Sequence, residues 1–304
     1  MFQSTGLAAL TLLSLAASPV TGLVAAPLQA RFDGTKYLFI FGDSYTATGF
    51  NPNGNKPSAS NPIGNPNLPG STFSGGWDWP GYLVTSFNTS QTLLYNYAVG
   101  GATVDSNLVA PPGNGINSFV QQTAQWKSGA ASKPSYAPWT SENAVAGAFF
   151  GINDILQSHW RNSDPPLTKM VDRYFEQFAT MYAAGVRNFF LVTVPPMDKV
   201  PQITGQNAQG RTKIMGNVNS WNTQLAARMA TFKEKNAGVT AVVIESATPF
   251  NTAIANPKSY GAPDATCLNR NGKSCLWWDN LHPGEQIHKL LAAEIAKAWK
   301  GTFF

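Results

Sequence analysis

Tyr37-Leu-Phe-Ile-Phe-Gly-Asp-Ser44 decides the reading of this chain. Five residues in a row, 37–41, are apolar or aromatic, the length of a short strand, and they run straight into a tight Gly-Asp-Ser turn. A strand that is apolar at every position, rather than at alternate ones, suits a sheet covered on both faces. Four more such runs follow, at residues 93–99, 144–150, 188–194 and 239–244. Between them the apolar residues recur at helical spacing. Helices are expected at residues 79–87, 116–128, 167–184, 211–236 and 284–299. The fourth places Ile214, Val218, Trp221, Leu225 and Met229 on one face, and the last does the same with Ile287, Leu290, Leu291, Ile295 and Trp299. Strand and helix in alternation predict an α/β domain with a mostly parallel sheet and helices on both faces. Residues 51–74 break the pattern. They hold five prolines and almost no apolar side chains, and read as a long loop beside the carboxyl edge of the first strand, outside the core.

Composition narrows the function classes. Of 304 residues, 43% are hydrophobic and only 12% charged, half the usual charged share, as suits a neutral, polar surface. The formal net charge is +5, but the basic residues are scattered and no run of Lys/Arg reaches five, so no nucleic-acid partner is expected. Residues 1–30 carry no charge, and the apolar stretch at 7–17 has the length of a signal-peptide core, too short for a bilayer. A secreted chain with one domain over residues 31–304 is therefore expected, with no membrane partner and as a monomer. Cys267 and Cys275 are the only cysteines, and in an exported chain a disulfide between them is the default. Asn88-Thr-Ser90 is a sequon for one glycan.

Chemistry concentrates at the two ends of the chain. Ser44 stands where a strand gives way to a turn, so its hydroxyl can leave the sheet's edge among backbone N–H groups. Near the other end, Trp277-Trp-Asp279-Asn-Leu-His282-Pro offers a carboxylate and an imidazole three residues apart. Together they supply nucleophile, base and orienter for attack on a carbonyl. Two further strand ends, Gly100-Gly101 and Gly151-Ile-Asn153-Asp154, offer a backbone N–H and a side-chain amide for a developing oxyanion. Trp77, Trp79 and Trp278 flank these segments and could stack on sugar faces. At most one of Trp277 and Trp278 is expected to reach the site, since neighbours in an extended segment point apart. His159 and His288 are expected to play no part.

Gly42-Asp43-Ser44, Gly100-Gly101, Gly151-x-Asn153-Asp154 and Asp279-x-x-His282 occur in the order found in the GDSL/SGNH hydrolases, which the chain resembles from Tyr37 to Pro283. The resemblance implies a flavodoxin-like three-layer α/β/α sandwich with strand order 2-1-3-4-5. It implies Ser44 as nucleophile, His282 as base, Asp279 as its partner, and the Ser44 N–H, Gly101 N–H and Asn153 side chain as oxyanion hole. No cofactor or metal is called for. The details Phe-Gly-Asp-Ser-Tyr-Thr, Gly-Gly-Ala-Thr-Val-Asp-Ser and Trp-Trp-Asp-Asn-Leu-His-Pro are similar to secreted fungal acetylesterases of carbohydrate esterase family 16, which implies an acetylated carbohydrate substrate. A lipase of the same superfamily and a non-catalytic carbohydrate-binding protein are the alternatives.

Overall fold

In a computed structural model, which describes residues 34–304 and the first residue, the five apolar runs form one sheet. The strands are β1 (Lys36–Gly42), β2 (Thr92–Asn96), β3 (Ala144–Phe149), β4 (Asn188–Val192) and β5 (Thr240–Ile244). Their order is β2-β1-β3-β4-β5 and every pairing is parallel, which bears out the expected fold. Leu38 sits at the centre of the register, opposite Leu94 on one side and Val145 on the other. Residues 36–42 and 144–149 are buried almost throughout, the physical reason their sequence is continuously apolar. The expected signal segment at residues 1–30 lies outside the described residues, apart from the first residue.

Helices α1 (Trp79–Thr85), α2 (Phe119–Ser128), α3 (Ile152–Trp160), α4 (Leu167–Ala183), α5 (Pro201–Thr204), α6 (Ala208–Lys235), α7 (Ala247–Ala255) and α8 (Glu285–Ala298) complete the fold. They group into two layers, α1 with α7 and α8, and α2, α3, α4 and α6 together. Three of them, α3, α5 and α7, fall outside the expected ranges, α5 being a single turn opened by Pro201. Helix α3 occupies what reads as a turn after β3, because its apolar markers Ile152, Ile155 and Leu156 crowd its first half and Trp160 at its end is exposed. Helix α7 carries Pro249, which looks like a breaker but sits in the first turn, where its missing N–H costs no helical bond.

Residues 51–74 form no regular element, as expected, but they are not outside the core. Ile63 is buried in the hydrophobic cluster, and the Pro62 carbonyl accepts from the Leu94 N–H of β2 at 2.8 Å. β2 is an edge strand, so this loop satisfies part of its unpaired side. The loop is tied by Asn65, whose amide accepts from the Asn51 N–H and donates to the carbonyls of Asn51 and Asn55.

Candidate active site

Three adjacent strands, β2, β1 and β3, deliver their following residues to one carboxyl edge. The turn after β1 carries Ser44. Gly42 precedes it because a Cβ there would stand 2.7 Å from Thr46 Oγ1 and 3.0 Å from the Phe149 carbonyl. The amide of Gln122, on α2, clamps this glycine from both sides: it accepts from the Gly42 N–H at 3.0 Å and donates to the Gly42 carbonyl at 2.9 Å. Asp43 is wholly buried, and its Oδ1 accepts from the Tyr45 N–H at 2.9 Å. The turn is thus fixed before any substrate arrives.

The segment ahead of α8 brings the other partners. His282 Nε2 lies 2.8 Å from Ser44 Oγ, and His282 Nδ1 lies 2.9 and 3.0 Å from the two carboxylate oxygens of Asp279. Asp279 Oδ1 also accepts from the Leu281 and His282 N–H groups, at 2.8 and 2.7 Å, which closes the turn locally. Burial alone would raise the Asp279 pKa. The hydrogen bond and charge of His282, with the His282 and Leu281 N–H groups, outweigh that and hold it at about 2. The carboxylate therefore stays charged through the whole range in which an imidazole titrates. Tyr45 hydroxyl donates to the Leu281 carbonyl from within the nucleophile turn, so the two ends of the chain are bound together at the site.

Around this pair lie the oxyanion candidates. The Ser44 and Gly101 N–H groups have no acceptor among the described residues. Gly101 adopts φ +80°, a left-handed conformation that a side chain would strain. Asn153, in the first turn of α3, is 7% exposed, and its Nδ2 donates to the Ala102 carbonyl at 3.1 Å and to Asp43 Oδ2 at 3.3 Å. A hydroxyl that can pass its proton to an imidazole, beside open N–H donors, is arranged for acyl transfer.

A scan against protein families matches residues 38–295 to the GDSL-like lipase/acylhydrolase model. The chain belongs to that family. It is a carboxylic ester hydrolase, as the sequence reading holds. An acetylesterase of Thermothelomyces thermophilus is 48% identical over 282 residues, covering 92% of this chain and 93% of the relative. An acetylesterase of Hypocrea jecorina is 24% identical over 326 residues, covering 88% and 90%. Among solved structures, a lipolytic G-D-S-L family protein from Veillonella parvula matches with a TM-score of 0.51 at 15% identity, covering 88% of this chain and 99% of its own. That likeness is one of fold.

The tryptophans of this GDSL-family chain divide. Trp79 is completely buried, donates Nε1–H to Thr46 Oγ1 and packs edge-on against Phe190. It is a core residue and no sugar can reach it, contrary to expectation, because α1 turns it onto the sheet. Trp77 is half-buried, and its ring lies against Tyr82 rather than against His282, among the described ring pairs. Of the neighbours at 277 and 278, Trp277 is fully buried, with Nε1–H on the Ala265 carbonyl, and Trp278 reaches the site, 5.9 Å from the His282 ring.

Several residues at the site carry no sequence signal. Phe73, at the end of the long loop, stacks on His282 with ring centroids 5.2 Å apart and lies edge-on to Trp278. Arg270 places its guanidinium 4.1 Å over Trp278 and 3.6 Å from Asp279 Oδ2. Its loop is closed by the Cys267–Cys275 disulfide, which forms as expected with Cα atoms 5.1 Å apart. A short motif exposes none of these, since each reaches the triad only through the folded loops. His288 is buried, with a pKa lowered to about 3 by burial and then by the nearby His282, and His159 lies in the last turn of α3 beside Gly210. Asn88 lies on the turn between α1 and β2, half-buried, with Nδ2 donating to the Ser90 carbonyl.

Proposed function

We propose that this GDSL-family hydrolase is a secreted acetylesterase that removes acetyl groups from acetylated carbohydrates, such as xylo-oligosaccharides, through an acetyl-Ser44 intermediate. The observation that carries the chemistry is the unbroken line from Asp279 through His282 to Ser44, at 2.9–3.0 and 2.8 Å. Ser44 Oγ attacks the ester carbonyl while His282 Nε2 takes its proton, and Asp279 stabilises the imidazolium. The negative carbonyl oxygen rests on the Ser44 and Gly101 N–H groups and on the Asn153 amide, one of whose two hydrogens leaves the Ala102 carbonyl to reach it. His282 then protonates the departing sugar hydroxyl. Water repeats the steps in reverse order and releases acetate.

Support for the acetyl group comes from the two relatives named acetylesterases, one of them 48% identical over nearly the whole of both chains. Phe73 and Trp278 crowding His282 fit a small acyl group and a flat sugar better than a long apolar chain. Secretion is supported by the uncharged, apolar N-terminal stretch and by the disulfide. The half-buried sequon at Asn88 is proposed as a glycan site on the same reasoning.

Hydrolysis of 4-nitrophenyl esters from acetate to decanoate, with Ser44→Ala alongside, tests the reading. A sharp acetate preference that the variant abolishes is the expected result, followed by acetate release from acetylated xylo-oligosaccharides. A maximum at long chains would make the protein a lipase, and a fully active Ser44→Ala would remove Ser44 from the reaction.

A further inference from the structure

The three oxyanion donors sit on three separate elements: the turn after β1, the loop after β2 and the first turn of α3. Aiming them at one point requires links between those elements. Two buried carboxyl groups stand at these joints. Asp43 is fully buried, and its two oxygens serve different elements, Oδ1 accepting from the Tyr45 N–H and Oδ2 from Asn153 Nδ2. Asp154, next to Asn153 and equally buried, accepts on Oδ1 from the Val104 N–H, three residues after Gly101. We propose that Asp43 is a positioning residue of the oxyanion hole: its carboxyl group holds the Ser44 turn with one oxygen and the rotation of the Asn153 amide with the other. This rests on the acyl-transfer reading above.

The chemistry of the side chain argues for that double role. A carboxyl group offers an acceptor on each oxygen, whereas an asparagine of the same shape offers one acceptor and one NH2 group. An asparagine at 43 could therefore hold the Tyr45 N–H as well as the aspartate does, but its own NH2 would then face the NH2 of Asn153. If position 43 served only the turn, the uncharged residue would suffice without placing an ionisable group in the interior. The interior cost is visible: burial, reinforced by Asp154, pushes the Asp43 pKa up to about 7 in spite of the Tyr45 N–H. Asn153 Nδ2 has two hydrogens: the one resting on the Ala102 carbonyl turns to the oxyanion, while Asp43 keeps the other and so fixes the rotation of the amide.

Asp43→Asn is the isosteric test, read with Asn153→Ala and the double variant on 4-nitrophenyl acetate. Misaligning one donor should lower kcat about 10- to 100-fold with KM nearly unchanged. Asn153→Ala should cost about 100- to 1000-fold. In the Asn153→Ala background, Asp43→Asn should cost almost nothing further, because the group it positions is gone. A merely structural role predicts the opposite, with the two losses multiplying. Stoichiometric labelling of Ser44 by a serine-reactive phosphonate checks that the nucleophile still works in each variant. Asp43→Ser, which keeps an acceptor for Tyr45 but is too short to reach Asn153, should repeat the loss and serves if Asp43→Asn fails to fold. Unchanged kcat in Asp43→Asn, or multiplying losses, would overturn the proposal. If Ser44→Ala itself stayed active, the acyl-transfer reading would fail instead.

Discussion

Replacing Asp154 by Asn should change how stability depends on pH, by an amount set by its surroundings. Asp154 is fully buried, and among the described residues it accepts the Val104 N–H on Oδ1 while Oδ2 has no partner. Burial raises its pKa from 3.8 to about 7, against the pull of the Val104 N–H and with the help of Asp105. Between those values the unfolded chain has released the proton and the native protein still holds it. Stability therefore falls as pH rises, by about 1.4 kcal/mol per pH unit for one proton. Across roughly three units the loss amounts to about 4 kcal/mol. An asparagine cannot ionise, so the variant should lack this decline. The change also puts an NH2 where Oδ2 had no partner, a pH-independent cost of about 1–3 kcal/mol. Thermal melts at pH 4, 5.5, 7 and 8.5 separate the two effects. The variant should melt below the parent at pH 4 and approach or exceed it at pH 8.5, a relative change of roughly 10 °C. A constant offset across the series would show that Asp154 does not hold its proton in the native state, and the account of the buried pair would fall with it.

Asp279→Asn should lower kcat by about four orders of magnitude while leaving the melting temperature close to the parent's, because an amide would favour the wrong imidazole tautomer; steady-state kinetics decide. With Asp279 held at about 2, a loss of kcat/KM on acidification towards pH 4 cannot come from Asp279; a loss that persists in Asp43→Asn, whose parent carboxyl sits at about 7, belongs to the base, and a rate flat down to pH 4 would count against an imidazole base. Phe73→Ala should open the space over His282; two added methylenes, at about 0.8 kcal/mol each, should raise the butyrate-to-acetate ratio of kcat/KM about tenfold. Trp79→Ala should cost about 3–5 kcal/mol of stability as a core truncation, whereas Trp278→Ala should leave stability nearly intact and raise KM for sugar acetates more than for 4-nitrophenyl acetate. Denaturant melts and paired substrates distinguish the two tryptophans.

Local patterns in the chain were enough to determine the sheet. Runs that are apolar at every position, at 37–41 and 144–150, suit strands buried on both faces, and their alternation with helical spacing let a mostly parallel sheet between helix layers be read directly, while the strand order came from the family resemblance. Ser44, Gly101, Asn153, Asp279 and His282 were legible for a related reason: each follows a strand or precedes a helix, and chemistry at a sheet's carboxyl edge leaves its residues next to those punctuation points. Side-chain direction was a different matter. Trp77, Trp79, Trp277 and Trp278 look alike in sequence, and only packing puts Trp79 and Trp277 in the interior and Trp278 beside His282. Residues 51–74 read as a polar loop, yet Ile63 is core, the Pro62 carbonyl completes the β2 edge and the loop ends by placing Phe73 on His282. The pairing of Asp43 with Asn153, 110 positions apart, has no local signature either. Periodicity reports what one element buries, whereas contacts between loops depend on how the elements are docked, and that is settled only when the whole core closes.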